Sequence, residues 1–207
     1  MTLKFLKLKL LKGQSLIEVI VAIAILNIGL FSVWALFLNN YLGEREAEQR
    51  MVAVNLAREG LEIVRNIRDS NWLKVEDNTT DNGNPWFWDR NLNSGEYSVD
   101  YQNNEDLNSV DNARLYLNSD GFYVNDSTNN TITPYSRTIT LRDICCADID
   151  ADLKCDTNDF ILQNTINDNC AADGEIKIGV DVQAKVTWQI KNQTRQVIVQ
   201  DQLFNWK

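Results

Sequence analysis

The hydrophobic and polar positions of this chain change rhythm three times. From Val19 to Gly43 no Asp, Glu, Lys or Arg occurs, and Leu16–Leu38 is apolar on every side of a helix. About 20 such residues cross a bilayer. From Glu44 onward the pattern becomes one-sided. Val52, Leu56, Ile63 and Ile67 recur at helical spacing with Ala53, Ala57, Gly60 and Val64 beside them, and charges fill the other face. The two stretches predict one helix from about Gln14 to about Asp69, on the order of 80 Å long at 1.5 Å per residue. Its second half is expected to lay the apolar stripe on a globular domain as ordinary core packing.

Beyond residue 73 the rhythm shortens to strand alternation. Tyr97–Tyr101 is one expected strand. Arg114–Leu117 and Phe122–Val124 form a hairpin around Asn118-Ser119-Asp120-Gly121. Tyr135–Ile144 follows, with Ile139 and Leu141 alternating. Ile176–Ile190 and Gln196–Phe204 make a long hairpin across Lys191-Asn192-Gln193. Val180, Val182, Ala184, Val186 and Trp188 share one face of it; Val197, Val199 and Asp201 alternate on the partner strand. A long helix followed by an antiparallel sheet is an α+β layout. Residues 74–95 read as a loop rich in Asn, Asp and Gly around Trp86-Phe87-Trp88. Core packing is the ordinary explanation of that knot, and an exposed adhesive patch is the alternative.

Charge gives the chain a direction. Lys4, Lys7, Lys9 and Lys12 precede the apolar run, and the net-acidic Glu44-Arg45-Glu46 follows it. Positive-inside logic keeps residues 1–13 in the cytoplasm and sends the body outward. The net charge is −9; with four lysines in the first 13 residues, the rest carries −13. So acidic a body does not suit nucleic acid, where affinity rests on neutralising phosphates. There is no histidine, which removes the usual general base and the commonest zinc ligand. No nucleophile with a recognisable base and no glycine-rich phosphate loop is visible, so the expectation is a structural protein and not an enzyme.

One charge stands out. Glu18 lies at the mouth of the apolar run, five residues after Gly13. A carboxylate inside a bilayer costs roughly 2.5–3.5 kcal/mol even on an insertion scale, which makes it a functional candidate. A secretory signal carries its small-residue cleavage site after the apolar region. Here the small residue precedes it, so cleavage would discard only the basic leader.

The stretch Lys12-Gly13-Gln14-Ser15-Leu16-Ile17-Glu18, continued as VIVAIAILNIGL, resembles the N-terminus of type IV prepilins and type II secretion pseudopilins. The resemblance implies cleavage by a prepilin peptidase after Gly13 and N-methylation of the new terminus, Gln14. It implies assembly through Glu18, which would meet the terminal amine of a neighbouring subunit; a free monomer could instead let Glu18 snorkel to the headgroups. Gln14 stands where the family usually has phenylalanine. Many major pilins carry a proline midway along the membrane half. This chain has none between Met1 and Asn84. That, with VAIAILNIGL and Ala57-Arg58-Glu59-Gly60-Leu61-Glu62, is most similar to PilV-type minor pilins.

The implied fold is the pilin fold, its sheet packed on the second half of the helix. The implied organisation is a leader (1–13), an assembly helix (14–43), an amphipathic continuation (44–72) and an extracytoplasmic sheet domain (73–207) with an insert at 145–172. The implied partners are the peptidase, other pilin subunits and an inner-membrane assembly platform. The implied location is the cytoplasmic membrane, then a filament or the cell surface. A pseudopilin of a secretion or DNA-uptake machine is the alternative within the family. A single-pass anchored, calcium-stabilised binding protein is the alternative outside it.

The insert carries all four cysteines, Cys145, Cys146, Cys155 and Cys170. Four cysteines allow three connectivities. The adjacent pair is geometrically poor, so Cys145 and Cys146 are each expected to bond Cys155 or Cys170, and an outward body suits disulfides. Between them, Asp148, Asp150, Asp152, Asp156 and Asp159 occupy positions 1, 3, 5, 9 and 12 of a twelve-residue loop, with the Lys154 carbonyl at position 7. Hard oxygens at that spacing suit Ca²⁺. The loop resembles the dockerin form of an EF-hand, with Phe160-Ile161-Leu162 expected to begin an exit helix. Leu153 takes the place of the usual glycine, at a cost in strain. The plain alternative is a solvated acidic loop stapled by disulfides.

Overall fold

A single helix, α1, runs from Leu16 to Glu76. The computed structural model describes residues 16–81, 83–102, 107–109, 113–146, 160–162, 170, 175–190 and 192–205. The chain divides after Ala47 into two compact units, Met1–Ala47 and Glu48–Lys207. In the first, every described side chain from 16 to 41 is exposed. The second is an antiparallel α+β domain.

Its strands, in chain order, are β1 (Thr80–Asp81), β2 (Asn84–Pro85), β3 (Gly95–Ser98), β4 (Asn108–Ser109), β5 (Arg114–Leu117), β6 (Tyr123–Val124), β7 (Thr131–Cys146), β8 (Phe160–Leu162), β9 (Ile176–Ile190) and β10 (Gln193–Phe204). β1 and β2 form a small ribbon of their own. The others build one sheet around β7. β9 pairs along one edge of β7, from Thr187 opposite Ser136 to Ile176 opposite Cys146. Along the other edge three short strands follow one another: β5 at Thr131–Ser136, β3 at Ile139–Leu141 and β8 at Ile144–Cys146.

The alternation places the faces as expected. Val180, Val182, Ala184, Val186 and Trp188 are all buried, opposite Val197, Val199, Asp201 and Leu203 of β10. Ile139 and Leu141 of β7 are fully buried on the same side. The helical stripe closes this core with Ala53, Leu56, Ala57, Leu61, Val64 and Ile67. Each buried Leu, Val or Ile contributes about 1.5–3 kcal/mol. Val52 and Ile63, expected in the stripe, pack only at its margin.

Gly60 lies where the helix comes nearest the sheet. A Cβ there would stand 2.7 Å from Ile139 Cδ1 and 3.2 Å from Arg137 Cδ. The hairpin turn from β5 to β6 needs its glycine for a different reason. Gly121 adopts φ +85°, while the Asn118 side chain accepts from the backbone N–H of Asp120 and of Phe122.

Several boundaries differ from those expected. The helix continues seven residues past Asp69. The polar run Arg68-Asp69-Ser70-Asn71 reads as an ending, but tertiary contacts hold it helical. Asn71 is buried and donates to the carbonyls of Trp88 (3.1 Å) and Arg90 (2.7 Å), and Arg68 lies over the Trp72 ring at 4.6 Å. β3 begins at Gly95 and ends at Ser98, because the Asp100 carboxylate accepts from the Gln102 N–H and turns the chain. β7 starts at Thr131 and passes through Pro134, an unpaired position between the Thr131–Ile132 and Ser136 contacts to β5. β10 starts at Gln193, opposite Ile190, since Asn192 takes the left-handed conformation (φ 64°) that helps to reverse the chain.

Candidate functional site

The N-terminal unit offers an apolar helix surface. Large side chains such as Leu16 (78 % exposed), Ile28, Phe31 and Leu36 are open to the surroundings around the whole circumference. Such a helix belongs in lipid or among other apolar helices. Two of its polar side chains bond to the preceding turn. Asn27 Nδ2 donates to the Ile23 carbonyl at 2.9 Å, and Ser32 Oγ donates to the Ile28 carbonyl at 2.8 Å. Bonds to the preceding turn lower the cost of a polar side chain in hydrocarbon. At the far end Tyr41 carries the Arg45 guanidinium over its ring at 5.5 Å. An aromatic ring paired with a cation suits a headgroup boundary. The helix is long and apolar enough to cross a membrane.

Glu18 occupies the first turn of the described helix and is exposed. A helix N-terminus favours a carboxylate by about 0.3–1 kcal/mol. Gly13 and Gln14 lie outside the described residues.

The cysteine insert is described at its roots. Cys145 is bonded to Cys170, with Cα atoms 5.5 Å apart. Cys146 is also in a disulfide. The pairing therefore avoids the adjacent bridge, as expected. Cys155 and the proposed metal positions Asp148, Asp150, Asp152, Lys154, Asp156 and Asp159 lie outside the described residues. Among the described residues no group of three or more Cys, Asp or Glu could hold a metal. One expectation is corrected. Phe160–Leu162 is not an exit helix but strand β8, paired antiparallel with β7 so that Phe160 faces Cys146. Pairing with the open edge of β7 satisfies the backbone of this short apolar run, which no helical periodicity supported. Residues 147–159 are thus the link between two paired strands.

The aromatic knot is split between core and surface. Trp88 packs on the core and Trp86 is half-buried, but Phe87 is 61 % exposed. Core packing, the ordinary expectation, fails for Phe87. Trp86 Nε1 donates to Asn71 Oδ1 at 3.0 Å, and Lys74 Nζ and Arg90 Cζ lie 4.3 and 4.0 Å from the centre of its ring. Trp72, Val75, Glu76, Asn205 and the three aromatics enclose a groove of about 400 Å³.

The most deeply buried charges were not expected from the sequence. Arg137 is fully buried, and its guanidinium donates to the carbonyls of Leu56 (2.9 Å) and Val99 (2.6 Å) and pairs with Glu59 at 3.2 Å. Burial pulls its pKa below the usual arginine value, against the opposing pull of Glu59 and Asp100. Lys177 reaches Asp143 at 2.9 Å and donates to the Leu92 carbonyl at 2.6 Å. On the opposite face Asp181, fully buried, accepts from Arg142 and Gln200. All three clusters tie neighbouring elements together. One signal was available for Arg137: it shares strand parity with Tyr135, Ile139 and Leu141, so the alternation places it inside.

Comparisons of the chain with protein-family models, with curated proteins and with solved structures each gave no match.

Proposed function

We propose that this protein is a minor type IV pilin, a structural subunit that assembles through its N-terminal helix. The observation that carries the reading is Glu18, the single charge between Gly13 and Glu44, on a helix with apolar side chains exposed all round. Cleavage after Gly13 would create an amine on Gln14, four residues before Glu18. In a bundle of such helices, that amine on one subunit neutralises Glu18 of another. A buried carboxylate is costly alone and tolerable when paired. The α+β layout supports the reading too, because the second half of the helix packs on an antiparallel sheet as in the pilin fold. The extracytoplasmic body and its disulfide agree with a single-pass precursor in the cytoplasmic membrane.

In this reading the peptidase and an assembly platform act on the chain, and the globular unit stays outside the helical bundle. A pseudopilin of a secretion or DNA-uptake machine uses the same helix chemistry. The test is N-terminal sequencing of protein extracted from membranes. A mature chain beginning at Gln14 supports the proposal, and an intact Met1 sinks it. Glu18→Ala should leave cleavage intact and block incorporation into filaments; normal incorporation of this variant refutes the role of Glu18.

The open groove beside Phe87 favours a second reading, a single-pass anchored binding protein whose acidic insert holds Ca²⁺ between β7 and β8. The same sequencing experiment separates the two.

A further inference from the structure

β10 is the outermost strand of the sheet. It pairs with β9 over twelve residues without a register shift, and among the described residues no strand pairs with its other edge. Edge strands of this length are usually guarded by proline, by charged side chains such as lysine or inward-pointing charges, by a bulge or by shortness. β10 contains no proline and no lysine, and its pairing is regular throughout. Ile198, at its middle, is 47 % exposed. A row of unpaired backbone N–H and C=O groups on such an edge is a template for a further strand.

The sequence of the edge names its partner. Gln196-Val197-Ile198-Val199-Gln200 reads the same in both directions, and Arg195 and Asp201 flank it with opposite charge. We propose that β10 pairs antiparallel with β10 of a second copy, about a two-fold axis through Ile198. In that register Val197 meets Val199, Gln196 meets Gln200, and Arg195 meets Asp201 twice by symmetry. Each pair falls on one face. Arg195, Val197, Val199 and Asp201 share the side turned to the helix, while Gln196, Ile198 and Gln200 share the other, as the pleat requires. Neighbouring registers lose this match. Slipping by two residues one way sets Arg195 against Val199 and Asp201 against Gln193. Slipping the other way sets Arg195 against Leu203 and Asp201 against Val197. The charges thus fix the register, and the symmetry makes the contact self-complementary. Asp201 already holds Arg65 through Oδ2 and accepts from the Gln202 N–H through Oδ1. A carboxylate has lone pairs for further donors, so the partner's arginine joins this pair and need not displace it.

The two-fold reverses the partner's strands and helix. The contact therefore links copies presented from opposite directions, which is a different association from a parallel bundle of apolar helices, and it does not rest on the pilin reading.

The test uses the full chain in detergent micelles. Ile198→Cys places two thiols on the axis, where facing Cα atoms of antiparallel strands are about 4.5–5.5 Å apart, within disulfide reach. Gln196→Cys places them four residues apart along the strands, roughly 13 Å. Mild oxidation should give disulfide-linked dimer for Ile198→Cys at about ten times the yield for Gln196→Cys, a ratio set by that geometric cut-off. Ile198→Lys sets like charges face to face. It should return the sedimenting species to monomer while the thermal midpoint and circular dichroism stay those of the parent. Equal cross-linking at positions 198 and 196, a parent that sediments as monomer at about 100 µM, far above a micromolar dissociation constant, or a dimer that survives Ile198→Lys each overturns the proposal.

Discussion

Gly60→Ala combined with Ile139→Val tests the closest approach of helix and sheet. Alanine in place of glycine in a helix stabilises by about 0.8–1.0 kcal/mol on propensity alone. At position 60 its methyl would stand 2.7 Å from Ile139 Cδ1. Ile139 is fully buried and has little room to turn away. Overpacking of this kind costs about 1–3 kcal/mol, so the single variant should lose about 1 kcal/mol net. Ile139→Val removes the very carbon that clashes and by itself should cost about 0.5–1.5 kcal/mol. In the double variant the new methyl fills the space left by Cδ1. Of its next neighbours, Ala184 Cβ at 3.8 Å is in ordinary contact, while Arg137 Cδ at 3.2 Å is tight and its side chain must give by a few tenths of an ångström. The helix gain is then realised, and the double variant should fall within about 0.5 kcal/mol of the parent, where the two single losses alone sum to about 2 kcal/mol. The coupling is thus about 1.5 kcal/mol in the favourable direction. Urea unfolding followed by tryptophan fluorescence, in a fixed concentration of detergent, measures all four corners of the cycle. Additivity within about 0.5 kcal/mol would falsify the close approach.

Three further outcomes are expected. Replacing Cys145 and Cys170 by serine opens a closed loop of sequence separation 25 and should cost about 3.5 kcal/mol by loop entropy, seen as a lower urea midpoint; a loss under about 1 kcal/mol contradicts that account. Burial raises the phenol pKa of Tyr97, Tyr123 and Tyr135 above the usual 10.0, with smaller pushes from Asp143, Glu59 and Glu48 respectively, and a further one on Tyr135 from Tyr123. A folded-state pKa above the unfolded one means stability intact below pH 10.0 and lost as pH rises through the folded values; alkaline melting curves with phenolate absorbance as a second readout should show this, and a flat midpoint above pH 10.0 rules it out. If Asp148–Asp159 binds Ca²⁺, titration calorimetry on the full chain gives heat, and the melting midpoint rises by the equivalent of about 2.7 kcal/mol at a hundredfold excess over the dissociation constant; no heat with an unmoved midpoint ends the calcium reading.

The elements most legible in the sequence are those with a strict repeat. The apolar run, the helical stripe through Ala57 and Val64, and the alternation of β9 declare their period and their buried face together. The short strands were harder, because β8 and the ends of β7 have too few residues for a period to emerge. Their state is decided by the open edges of β7. The end of α1 was misread for a related reason, since Asn71 looks like a turn residue until its partners at Trp88 and Arg90 are known. Of the candidate sites, Glu18 and the avoided Cys145–Cys146 bridge were readable from residue order alone. For Arg137 the alternation gives only an inward strand position; the carbonyls that make a buried guanidinium tolerable come from Leu56 and Val99, 81 and 38 positions away.

The stripe on α1 is completed by strands that come last in the chain. Ile67 belongs to the same core as Val186 and Leu203. At about 5–20 residues per second of synthesis, the 119 residues from Ile67 to Val186 take about 6–24 s to appear. Through that interval Leu56, Leu61, Val64 and Ile67 lack the part of their cover that β9 and β10 supply, with only β7 and its short neighbours made. A chain made N-terminus first therefore keeps part of a sticky helical face open until β9 arrives. Folding of this unit is timed by the arrival of β9 and β10 and depends on holding factors or on slow self-association during the wait.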